Sequence, residues 1–136
     1  MPKVRPINER KYGISKYRFR EAYNFCLQYH EWKEELKHTI DALKSPEIND
    51  MPRAAGQTSD TTAMLATRRA ELTRKCELVE QTAIEADVQI YQYIIDAVTN
   101  EGTSYRHLKI RKKIPCGKDM YYDRRRKFYY LLSNKL

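Results

Sequence analysis

No apolar run in this chain approaches the ~20 residues needed to span a bilayer. The opening stretch, MPKVRPINERKYG, lacks the apolar segment of a secretory signal. A cytoplasmic protein with no membrane partner is therefore expected. Cysteine is sparse as well: Cys26, Cys76 and Cys116 are an odd, widely separated set. None has a second Cys or a His at metal-ligand spacing, which argues against both a zinc site and a disulfide framework. His30, His38 and His107 are scattered, and no Ser-His-Asp order, phosphate-cradling Gly loop or HExxH motif occurs. The expectation is a protein with no catalytic residues, no metal and no cofactor, and not an enzyme. Glycine and proline are few, four and five, and Pro2, Pro6 and Pro46 lie outside the strongest helical patterns.

Positive charge is plentiful but local. The chain carries a net charge of +8; residues 103–136 hold eleven Lys/Arg against Asp119 and Asp123, a net +9, so the first 102 residues sum to −1. Basicity confined to one stretch is the electrostatic footprint of a polyanion partner. With 41% hydrophobic and 32% charged residues, the composition suits a soluble helical chain rather than a disordered one. Eleven tyrosines suit small cores and wet interfaces, since each combines apolar area with a polar tip.

Apolar residues recur at helical spacing along most of the chain. Residues 1–14 read as a loose basic arm, either frayed or lying along a DNA backbone. Ser15 is the expected N-cap of a helix with Phe19, Ala22, Tyr23, Cys26 and Tyr29 on one face. Trp32, Leu36, Ile40 and Leu43 continue the pattern after a phase slip at residues 29–31, which favours two helices over one kinked helix across 15–44. Residues 45–58, with Pro46, Pro52 and Gly56, read as a loop.

A long central helix is expected over 59–86. Its apolar seam, Leu65, Leu72, Cys76, Val79, Ala83 and Ala86, with Arg69 at the missing heptad position, suits packing inside the chain or a homodimer contact. Asp87 is placed to cap a helix bearing Ile90, Tyr91, Ile94, Ile95 and Val98, and Gly102 to close it.

The last 34 residues, TSYRHLKIRKKIPCGKDMYYDRRRKFYYLLSNKL, form two short helical patterns around a break at IPCG. Too few to bury a core alone, they need the 87–101 helix as support. The expected fold is all-α, an N-terminal helical region followed by a C-terminal helix-turn-helix DNA-binding domain at 87–136. Tyr121, Phe128 and Leu132 belong to the inner face of its second helix. Lys118, Asp119, Tyr122, Asp123 and Arg126 form an outer face that would read bases in the major groove of double-stranded DNA. Lys109, Arg111, Lys112, Lys113, Arg124 and Lys127 would contact phosphates.

The stretches YHEWKEELKHTIDALKSP, SDTTAMLATRRAEL and above all SYRHLKIRKKIPCGKDMYYDRRRKFYYLL resemble the small phage-encoded late transcription regulators of the RinA and ArpU type. The resemblance implies a sigma-factor-like helix-turn-helix with residues 118–132 as recognition helix, binding to phage promoters at the host nucleoid, and contact with RNA polymerase. Glu31, Glu34, Glu35, Glu77, Glu80 and Glu85 are the acidic residues offered to the polymerase. The turn IPCGKD departs from the small-residue turn more usual in such units. The alternative from another class is a DNA-packaging protein like a small terminase subunit, which binds DNA as an oligomer. A helical RNA binder that stacks bases on its tyrosines ranks last, since no β-sheet platform or Gly-rich RNA loop is evident.

Overall fold

Helical periodicity in the sequence is matched by helices in space: a computed structural model holds six of them and no strand among the described residues. The described residues are 12–44 and 55–136, with side chains at 12–39 and 61–136. Most of the expected arm (1–14) and loop (45–58) lie outside them. The helices are α1 (Lys16–Leu27), α2 (Tyr29–Lys44), α3 (Ala55–Ala86), α4 (Tyr91–Thr99), α5 (Tyr105–Arg111) and α6 (Lys118–Lys135).

Local chemistry sets the ends of these elements. Ser15 accepts a hydrogen bond from the Arg18 amide and so satisfies one unpaired donor of the first turn of α1. Gln28 alone separates α1 from α2, as the phase slip implies. The α3 helix starts at Ala55, four residues before the expected position. Gly56 is the lone poor helix former there, and its cost of about 1 kcal/mol is small beside the cooperativity of a 32-residue helix. After α3, Asp87 accepts from the amides of Gln89 (2.8 Å) and Ile90 (3.2 Å), which folds residues 88–90 into a turn and delays α4 to Tyr91. Gly102, at φ +80°, takes the left-handed conformation that lets the chain leave α4.

The chain divides into two compact units. One is His30–Glu77, in which α2 and the first part of α3 run antiparallel. Arg68 grips Glu35 through two hydrogen bonds of 2.9 and 3.0 Å, and Lys75 lies 5.5 Å over the buried Trp32 ring. The other unit gathers residues 78–136 with the described part of 1–29.

This grouping differs from the expected boundary at residue 87. The reason is the apolar face of α1: Phe19, Ala22 and Cys26 are buried, and α1 lies against α6 and α4. Phe19 meets Tyr129 edge-on at 5.0 Å, and Arg18 donates to the Ser133 carbonyl (2.9 Å) and Asn134 (3.1 Å). These contacts make α1 antiparallel to α6. At the other side, Lys135 bonds Glu85 (2.8 Å) and Thr82 (3.0 Å) of α3. Three helices of 87–136 leave the Tyr129 side of α6 uncovered, and α1 covers it.

The α3 seam is used inside the chain. Leu72, Cys76, Val79, Ala83 and Ala86 are at most 3% exposed, so these residues are not open to a second copy. Five of the six seam residues thus pack inside the chain, while the first, Leu65, is half-buried. Cys26 and Cys76 are buried and Cys116 half-buried; burial pushes the Cys26 and Cys116 thiols upward, away from the reactive thiolate. No described helix is long and apolar enough to cross a membrane.

Candidate nucleic-acid interface

Ser104 caps α5 by accepting from the His107 amide. Leu108 is fully buried, and its carbonyl accepts from the amides of both Lys112 (3.2 Å) and Ile114 (3.1 Å). Ile114, 6% exposed, anchors the turn, while the Tyr105 hydroxyl donates to the Cys116 carbonyl at 2.6 Å. With Leu108 inward, the residues left outside are Arg106, His107, Lys109, Ile110, Arg111, Lys112 and Lys113, all exposed.

Closing this turn forces Lys113 to φ +57°, the left-handed region that a side chain disfavours. Lys113→Gly is expected to raise stability by about 0.5–1 kcal/mol, read as the shift in urea midpoint. An unchanged or lower midpoint would count against strain at this residue.

The eleven basic residues of 103–136 fall into two groups. Three are engaged within the fold. Arg124 bonds Asp87 (3.0 Å) and Asp123 (2.8 Å); Lys135 bonds Glu85 and Thr82; Arg125 lies over the Tyr122 and Tyr129 rings at 5.5 and 6.0 Å. The remaining eight, Arg106, Lys109, Arg111, Lys112, Lys113, Lys118, Arg126 and Lys127, have no acidic partner within salt-bridge reach among the described residues. Two acidic carboxylates cannot neutralise this set, because Asp123 is occupied by Arg124. Of the expected phosphate-contacting residues, Arg124 is the one held internally. Its partner Asp87 is a turn cap, and its side chain is only 9% exposed.

Burial raises the carboxyl pKa of Asp87, but the amides of Gln89 and Ile90 and the Arg124 guanidinium outweigh it and hold the group below the usual carboxylate range. Arg125 is stabilised as a cation by Tyr129, Tyr121 and Tyr122 against the opposing effect of burial. The Tyr121 hydroxyl is buried and meets no group in hydrogen-bond geometry, although Arg125 stands close enough to affect its titration.

The expected base-reading residues divide in two. Lys118 and Asp119, at the start of α6, are exposed. Tyr122, Asp123 and Arg126 are half-buried and line a hollow of about 740 Å³, together with Phe19, Tyr23 and Leu27 of α1. The outer face of α6 is therefore not open along its length, because α1 stands beside it. Phe19 and Tyr23 were legible as one face of a helix, but a local pattern does not say which distant helix it meets. Arg106 and the exposed Met120 also belong to the outer surface; spacing alone places Arg106 there, opposite Leu108. No family model, curated protein or solved structure matches the chain.

Proposed function

We propose that the chain binds double-stranded DNA through α5, the α5–α6 turn and the start of α6, acting as a helix-turn-helix with α6 as recognition helix. The observation that carries this reading is the set of eight basic side chains on one short stretch that have no acidic partner among the described residues. A folded surface that keeps so many like charges unneutralised is destabilised by self-repulsion, and a polyanion removes that repulsion. Lys109, Arg111, Lys112, Lys113 and Lys127 are assigned to phosphates, joined by Arg106. Lys118 and Asp119 lead into the major groove, with Arg126, Tyr122 and Asp123 behind them. Arg124 leaves the phosphate set, since Asp87 and Asp123 hold its guanidinium.

A phage late regulator of the RinA and ArpU type is the wider role this reading carries. Glu31 and Glu77 are exposed acids suited to RNA polymerase; Glu34, also exposed, contacts His38 at 3.2 Å, and Glu35, Glu80 and Glu85 have partners within the chain. Consumption of the α3 seam favours this role over an oligomeric packaging protein. Gel-shift titration against fragments of the phage genome, with complex size from light scattering, tests it: one upstream region bound by a monomer or dimer is expected, and a ring of eight or more chains at a packaging start contradicts it. Arg126→Ala is expected to cost ~1–3 kcal/mol and relax specificity at one position, whereas Lys112→Ala weakens all sequences alike. Identical effects of both changes on specific and random duplexes would remove Arg126 from the reading face.

A further inference from the structure

The hollow beside α6 is built unlike the rest of the basic surface. Four aromatic residues line it: Tyr23 of α1 and Tyr122 of α6 are half-buried and present ring surface, while Phe19 and Tyr129, 6% and 2% exposed, are buried beside them. Phe19 packs on Tyr129 at 5.0 Å and on Tyr23 at 5.9 Å. The Arg125 guanidinium lies over the Tyr122 and Tyr129 rings, which adds a planar cation to that group. Lys118 and Arg126 line the same hollow, and neither has an acidic partner among the described residues. Glu101 and Asp119 line it too, while the third acid, Asp123, is held by Arg124.

The polar groups between α4 and α5 are already used. Ser104 accepts from the His107 amide, Thr103 donates to the Asn100 carbonyl, and Asn100 donates to Asp96. What the hollow offers a ligand is therefore the half-exposed rings of Tyr23 and Tyr122, the Arg125 guanidinium beside them, the two further cations Lys118 and Arg126, and two carboxylates. The volume, about 740 Å³, lies within the range of roughly 300–1,000 Å³ typical of small-molecule sites.

We propose that this hollow is a nucleotide subsite: one nucleobase stacks on the half-exposed tyrosine rings and its phosphate meets Arg126 and Lys118. A flat ring fits them because every base has a π-face, and guanidinium planes stack as tyrosines do. Glu101 and Asp119 accept hydrogen bonds from an exocyclic amine, so adenine suits the hollow better than thymine. The same chemistry has two sources, a free mononucleotide or a nucleotide unstacked from bound DNA. The second source rests on the DNA-binding reading; the first does not.

Calorimetric titration of the full chain with dAMP, with deoxyribose 5-phosphate as the control without a base, tests the subsite. A fully paired duplex and the same duplex carrying one unpaired adenine distinguish the sources. Two variants remove the site by different routes. Tyr23→Ser deletes one of its aromatic rings, and Ala97→Leu adds bulk at its wall without removing any other side chain. Both substitutions lie outside the proposed DNA surface.

A free-nucleotide site gives dAMP binding above the control, weakened roughly tenfold or more by either variant, with no advantage for the unpaired adenine. A DNA-derived occupant gives a preference for the unpaired adenine that either variant abolishes. The subsite is overturned if dAMP binds no better than the control and the unpaired adenine gives no advantage. It is equally overturned if both variants leave binding unchanged. Loss of paired-duplex binding with dAMP binding intact removes the DNA-binding reading alone; the reverse removes the subsite alone.

Discussion

Replacing Lys109, Arg111, Lys112 and Lys113 together by alanine is expected to abolish most duplex binding at moderate salt while leaving the fold intact. All four are exposed, and none has an acidic partner among the described residues. Each phosphate they neutralise releases condensed counterions, so the slope of log affinity against log salt should become shallower by about 0.9 for each phosphate left unneutralised, or between three and four for all four substitutions. Thermal stability should stay level or rise, because the change removes like-charge repulsion and the Ser104 cap, the buried Leu108 of α5 and the turn anchor Ile114 all remain. Fluorescence anisotropy over a salt series gives the slope, and a melting curve on the same samples gives the stability. A full slope in the variant would place the polyanion elsewhere.

Arg124 and Asp87 are expected to behave in the opposite way. The carboxylate of Asp87 does two jobs: Oδ1 caps the turn before α4 and Oδ2 accepts from Arg124 of α6 at 3.0 Å. Asp87→Ala removes both and leaves Arg124 with Asp123 alone, at a cost of about 2–3 kcal/mol and a fall in melting temperature of roughly 5–10 °C. Arg124→Ala should cost less, since the cap survives, and should leave the salt slope of DNA binding unchanged. A slope shallower by about 0.9 would return Arg124 to the phosphate-binding set.

The pH dependence of this clamp follows from the lowered Asp87 pKa. A carboxyl whose folded pKa lies below its unfolded value, about 3.9, contributes fully above that value. The contribution is lost as pH falls through the folded pKa. Wild type should therefore lose stability more steeply than Asp87→Asn below about pH 4, as read by denaturant midpoints. Parallel curves would show that the carboxylate does not contribute in this way.

Where the chain folds on local rules, the sequence is a good guide. Ser15, Ser104 and Gly102 act at the positions their chemistry suggests, and Tyr121, Phe128 and Leu132 are fully buried on one side of α6. Ile110, two positions from the buried Leu108 and so on the other side of α5, is 61% exposed. Long-range pairing is what the pattern does not encode. The Phe19–Tyr129 contact joins residues 110 positions apart, and an amphipathic face on α1 fits any helix with a complementary stripe. Charge has the same limit: a run such as DRRRK fixes how many cations there are but not which one an acid will hold. Asp87 selects Arg124, and the aromatic rings select Arg125, only once α4 and α6 are packed together.

The most direct test of the central claim is the affinity of the full wild-type chain for a random-sequence duplex, followed by anisotropy between about 50 and 200 mM salt. With six residues assigned to phosphates, affinity should fall steeply, with a log–log slope near about −5, and the slope should be carried by Arg106, Lys109, Arg111, Lys112, Lys113 and Lys127. Absence of binding at the lowest salt, or binding whose strength does not change with salt, would contradict the claim that these cations form a surface for DNA.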